Sequence, residues 1–175
     1  MEKAKLRRPF FVVNPKSYLY GDVIYRLAKK TDKLCEQYDF DCLFTAQLVD
    51  LPHIIATCPH LVPCAQNMES LKPGRGMGHI LPEALAAAGV KATFLNHAEN
   101  PATAHELAAT IARANELGIL TVVCADSVEE GKWIAGLKPD VIVCELTSLI
   151  GTGTVAGEDY MRASTEAVKA VSPDT

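Results

Sequence analysis

Short apolar runs rich in β-formers alternate along the chain with longer segments of helical period. The runs fall at residues 10–14 (FFVVN), 41–45 (DCLFT), 61–66 (LVPCAQ), 92–96 (ATFLN), 119–124 (ILTVVC) and 140–145 (DVIVCE). Most are continuously apolar, as strands buried on both faces are. Pro63 weakens the third, because proline cannot donate to a ladder. Helices are predicted over 18–37, 51–56, 82–88, 102–117, 128–137 and 158–171. Their starts carry cap chemistry: Asp50 before Leu51 and Pro52, Asn100 before Pro101, and Ser127 to Glu130 as a capping box. Gly89 and Gly118 follow two helix ends, where a left-handed residue is needed.

Alternation of this kind builds parallel βαβ units, which close into a barrel or spread as an open doubly wound sheet. Periodicity does not choose between the two. The polar residues do: Asn14 and Lys16, Gln66 and Asn67, Asn96 and His97, and Glu145 each stand at the C-terminal end of a different strand. In a barrel those ends converge on one mouth. An open sheet would spread them along an edge, and its first turn would carry a Gly-rich phosphate fingerprint, whereas this turn reads Asn14-Pro-Lys-Ser-Tyr18.

Composition narrows the classes. At 175 residues, 49% hydrophobic and 22% charged, the chain has the makeup of one domain with a sizeable core. Its net charge is -4, with Lys and Arg scattered, which argues against nucleic acid as a partner. The charged start from Glu2 to Arg8 precedes an apolar run too short for a signal peptide, and no stretch reaches the length of a membrane span. Six cysteines without paired spacing read as reduced, buried thiols. A cytoplasmic protein without membrane partners is expected. His53, Cys58, His60 and Cys64 lie close in sequence, but their spacing matches no common zinc pattern and packing is the better reading.

Proton transfer beside a carbonyl needs a carboxylate base, a donor to the carbonyl oxygen and a fixed positive charge for the enediolate. Glu145, His97 and Lys16 fit those three roles. The residues that carry them also carry a resemblance. Asn14-Pro-Lys16 and Ala65-Gln66-Asn67 resemble the first-loop and third-strand motifs of the triosephosphate isomerase family. Gly78-His-Ile-Leu-Pro-Glu83 and Asn96-His97-Ala98-Glu99-Asn100 are similar to its archaeal form, and Glu145 with Leu149-Ile-Gly-Thr-Gly153 resembles its glutamate and closing loop. Cys124 falls where the family commonly has a cysteine.

The resemblance implies an α/β fold of the TIM (β/α)8 type, with about six units in one partial domain over 1–175. It implies cofactor-free interconversion of dihydroxyacetone phosphate and glyceraldehyde 3-phosphate: Glu145 as base, His97 as neutral electrophile, Lys16 as electrostatic anchor. Asn14 and the backbone N–H of Gly151 would bind substrate, Glu99 would partner Lys16, and no metal would be held. A helix starting at Asn100 and Pro101 would support the neutral histidine. A lid over 146–156 would exclude water from the enediol phosphate.

Departures from the family are Leu146 where proline usually follows the glutamate, Thr147 and Ser148 in the hinge, Ala98 for serine, and Pro15 inside the first motif. Strands seven and eight would follow residue 175, so a fragment or a chain completed by a partner is expected, with association into homo-oligomers. Two alternatives stand: isomerisation of another phosphorylated keto sugar such as a tetrulose phosphate, and a non-catalytic partial barrel acting as an oligomerising partner.

Overall fold

The structure, a computed structural model, describes residues 3–175; Glu2 of the charged start lies outside them. In chain order the elements are β1 (Phe11–Val13), α1 (Asp22–Tyr38), β2 (Cys42–Ala46), α2 (Leu51–Thr57), β3 (Val62–Ala65), α3 (Pro82–Ala88), β4 (Ala92–Leu95), α4 (Ala104–Leu117), β5 (Leu120–Ala125), α5 (Val128–Ala135), β6 (Val141–Cys144) and α6 (Glu158–Val171). All strands are parallel and lie in the order β1-β2-β3-β4-β5-β6. A doubly wound sheet reverses its order at a switch point; this one never does. Right-handed crossovers repeated in one direction put the helices on one face and curl the sheet into a partial barrel.

Side chains along each strand alternate between two cores. Outward, Phe44, Ala46, Ala65, Leu95, Val123 and Ala125 pack on Ile24, Ala28, Leu51, Ile54, Leu107 and Ile111 of the helices. Inward, Leu43, Cys64, Ala92, Phe94, Leu120, Val122 and Cys124 meet one another and, at the margin, Ala4, Leu6 and Phe10 of the amino-terminal segment. That double burial is why the strands read as unbroken apolar runs. Ionic contacts fasten the segment beneath the sheet: Lys3 Nζ lies 2.6 Å from Asp140 at the foot of β6, and Arg7 binds Asp39 and Asp41 at the foot of β2.

Several boundaries differ from the sequence expectation, each for a physical reason. Helix α1 starts at Asp22 rather than 18, because Gly21 at φ 57° leaves the helical region. Asp50 does not cap α2; its carboxylate accepts from Gly21 N and from Tyr25 Oη at 2.8 Å, joining α1 to α2. Helix α4 begins at Ala104, not beside Asn100: Thr103 Oγ1 accepts from Glu106 N, and Glu106 Oε2 accepts from Thr103 N, a reciprocal box stronger than the Asn-Pro signal. Ser127 caps α5 as expected, accepting from Glu130 N at 3.1 Å, although the Glu130 carboxylate turns elsewhere. Pro63 sits inside β3, with its C=O facing Lys91 N on the β4 side. Its missing donor faces the same way, and β3 and β4 register over only Cys64↔Ala92 and Ala65↔Thr93. No described helix is long and apolar enough to cross a membrane.

Candidate active site

Asn14, Gln66, Asn96 and Glu145 each lie one residue beyond a strand's last residue, at the same end of the sheet. After β1 the chain turns through Lys16, whose φ of 50° is uncommon for a side-chain-bearing residue. Two bonds hold that turn: Lys16 N donates to Asn14 Oδ1 at 3.1 Å, and Gln66 Nε2, from the end of β3, donates to the Lys16 carbonyl at 2.7 Å. The ammonium then reaches Glu99 Oε1 at 2.7 Å, and this hydrogen bond, with the lysine's charge, pulls the Glu99 carboxyl below its ordinary value. A cavity of about 330 Å³ opens here, lined by Asn14, Lys16, Thr45, Gln66, His97 and Glu99 among others. Thr45 is 1% exposed, and its Oγ1 has no hydrogen-bond partner among the described residues.

After β4, Asn96 takes φ 56° and turns the chain into His97. Asn96 Nδ2 donates to the Cys124 carbonyl and to Glu130 Oε1, both at 3.0 Å, and its Oδ1 accepts from Ala102 N at 3.1 Å. His97 Nδ1 accepts from Glu99 N at 3.1 Å, while Asn100 N closes a turn on the His97 carbonyl at 2.7 Å. A backbone N–H can only donate, so in this contact Nδ1 serves as the acceptor and Nε2 is the ring nitrogen left for another partner. The expected helix start beside His97 is replaced by this turn.

Glu145 leaves β6 with its N–H on the Ala125 carbonyl at 2.9 Å and its side chain exposed. A second cavity, about 270 Å³, holds Glu145 together with Asn96, His97, Cys124, Asp126, Glu130 and Thr147. His97 lines both cavities, sharing one with Lys16 and the other with Glu145. Beneath them the Cys124 thiol is pushed up to about 12, by burial first and then by the Glu145 charge, and stays a neutral wall. The segment after Glu145 forms a 3-10 turn at Thr147–Leu149 and continues through Gly151 and Gly153, at φ 76° and 75°, with much of its surface exposed. Ile150 lines the Glu145 cavity; Gly151 lines neither cavity.

The four residues weighed for zinc point apart. His53 stacks on Tyr25 at 4.1 Å, His60 binds Asp32 at 3.2 Å, and Cys64 faces the inner core. What the sequence reading missed is the polar chain from Asn96 through Glu130 and Asp126 to Thr147. Asp126 follows β5 directly, and that position is the signal that could have drawn notice.

A family model described as triosephosphate isomerase matches residues 9–175. The triosephosphate isomerase of Methanocaldococcus jannaschii is 32% identical over 168 residues, covering 93% of this chain and 76% of its own length. That of Methanoculleus marisnigri is 31% identical over 171 residues, covering 95% and 77%. That of Sulfurisphaera tokodaii is 30% identical over 168 residues, covering 95% and 73%. The chain thus spans about three quarters of the length of these relatives.

Proposed function

The chain belongs to the triosephosphate isomerase family, and on that premise we propose that it interconverts dihydroxyacetone phosphate and glyceraldehyde 3-phosphate without a cofactor. The Glu145 carboxylate removes a proton from the hydroxyl-bearing carbon beside the carbonyl and returns it to the former carbonyl carbon, while the hydroxyl proton passes to the former carbonyl oxygen. His97 Nε2–H donates to the oxygen on which negative charge develops, and the Lys16 ammonium stabilises the enediolate. Asn14 and the Gly151 amide bind the substrate, the latter once the lid closes. Glu99 holds Lys16 in place through the 2.7 Å contact.

The observation that carries this reading is the Glu99 N–H to His97 Nδ1 bond, which leaves one ring donor between the lysine cavity and the glutamate cavity. Six free cysteines fit a reducing cytoplasm. Tyr18, Tyr20, Val49 and Met77 are exposed on the loops around the mouth and fit association of like chains. A single sheet joins all the strands, which supports treating the chain as one domain.

Purified chain is assayed with both triose phosphates. Glu145→Gln lowers kcat by about 10²–10⁴-fold, the range of a positioned general base; unchanged turnover in that variant removes the assignment. The unpartnered Thr45 hydroxyl favours one second reading, a tetrulose phosphate whose extra hydroxyl would meet it. A kcat/KM higher on erythrulose phosphate than on glyceraldehyde 3-phosphate selects that substrate, and an inert wild-type chain leaves a non-catalytic partial barrel.

A further inference from the structure

Glu130 lies on the first turn of α5, where a glutamate commonly closes a capping box on its own helix. Here both its oxygens are spent on groups outside the helix. Oε1 accepts from Asn96 Nδ2 at 3.0 Å, and Oε2 accepts from Asp126 N at 2.6 Å. Asn96 is the left-handed residue that aims His97. Asp126 in turn accepts, on Oδ1, from Thr147 N at 2.6 Å, two residues past Glu145. The backbone at Glu145 is therefore bracketed, with residue 145 bonded to Ala125 and residue 147 bonded to Asp126.

We propose that Glu130 and Asp126 are positioning residues, a pair of carboxylates tying the strand end that aims His97 to the hinge that carries Glu145. The inference rests on the isomerase reading for its catalytic meaning. Three observations carry it. The bond from Asp126 N to Glu130 is local to the helix start, but Asn96 on Glu130 and Thr147 on Asp126 come from distant parts of the chain, so helix capping alone does not account for the pair's bonds. The pair, its partners, His97 and Glu145 line the same cavity of about 270 Å³. The helix bearing Glu130 is also immobilised: Ser127 caps it, and Gly131 packs so tightly that a Cβ there would stand 2.9 Å from Cys144 Sγ on β6. Each hydrogen bond to an ionised carboxylate is of the stronger, charge-assisted kind. The two carboxylates touch no reacting atom in this scheme; they act on the spacing of the groups that do.

The test uses the full chain with three substitutions, Asp126→Ala, Asp126→Asn and Glu130→Ala, and two measurements: amide hydrogen exchange at Thr147 and Ala102, and steady-state kinetics on triose phosphate. Asp126→Ala accelerates exchange at Thr147 by tenfold or more. It also lowers kcat by about 10–100-fold with KM within twofold, as a small misplacement of a catalytic group does. Asp126→Asn keeps an amide oxygen as acceptor and the size of the side chain, so it folds and gives an intermediate effect on both readouts. Glu130→Ala accelerates exchange at Thr147 and at Ala102, whose N–H is held by Asn96. Unaltered Thr147 exchange in Asp126→Ala overturns the proposal, as does accelerated exchange with unchanged kcat. Should wild-type chain turn over neither a triose nor a tetrulose phosphate, the isomerase reading falls by itself. Exchange at the two amides then decides the tie, acceleration at both upholding it and no acceleration removing it.

Discussion

Lys16 holds a backbone conformation that costs a side-chain-bearing residue roughly 1–2 kcal/mol, and its neighbours offset that with three polar contacts. Asn14 Oδ1 takes its N–H, Gln66 Nε2 binds its carbonyl, and Glu99 takes its ammonium. The strain is local, and the charge it presents is the one the proposed reaction needs. The tie to Glu99 has a definite pH signature. The Glu99 carboxyl sits below its ordinary value, so its contribution to stability is complete above the unfolded carboxylate value of about 4.3 and is lost as pH falls through the depressed one. Glu99→Gln should therefore melt below wild type at pH 7, and the two melting curves should converge as the pH approaches 3. A gap that persists in acid would mean that packing, rather than the ion pair, holds the side chain.

Element by element, helix α5 shows how tightly the site's supports are packed. Gly131 faces Cys144 of β6 and Val168 of α6, and a Cβ built on it would lie 2.9 Å from the sulfur and 3.5 Å from the valine methyl. Gly131→Ala should cost about 1–3 kcal/mol through overpacking, despite alanine's better helix propensity. A chevron or urea titration checks this, and a neutral or stabilising result would mean that β6 yields easily. Periodicity made most of these elements legible. Helices α3 and α6 occupy 82–88 and 158–171 as their patterns predict, and Gly89 and Gly118 end theirs in the left-handed region. The misplaced starts of α1 and α4 share a cause. A run of helix-compatible residues continued past the real boundary, and the deciding feature was a backbone angle at Gly21 or a reciprocal side-chain bond at Thr103. Lys16, His97 and Glu145 could be proposed as a set from the sequence because each lies within three residues of a strand's end. The Glu130 and Asp126 ties were not, since their meaning lies in partners up to thirty-four residues away, which local spacing does not encode.

Across the whole molecule the mouth and the foot of the sheet are secured differently. At the mouth, side chains of the strand ends and loops tie to one another, whereas at the foot ion pairs fasten the amino-terminal segment beneath the sheet. Asp140 Oδ2 accepts from Lys3 Nζ at 2.6 Å, Thr121 N at 2.8 Å and Thr121 Oγ1 at 2.9 Å, joining the amino-terminal segment, β5 and β6 at one atom. Thr121 is fully buried, so Asp140→Ala strands its donors and should lower stability by about 1–3 kcal/mol with an unchanged denaturant m-value. A fall in m would instead indicate a loosened native state. The sheet order has a further consequence for how the protein is made. Because each strand pairs with the one before it, every strand leaving the ribosome finds its partner already synthesised, and the barrel can grow in the direction of translation. The cradle around Lys16 and His97 can assemble while Glu145 is still unmade, on the order of seconds earlier at ordinary elongation rates. The nascent chain would then hold the proposed anion-binding wall before it holds the proposed base.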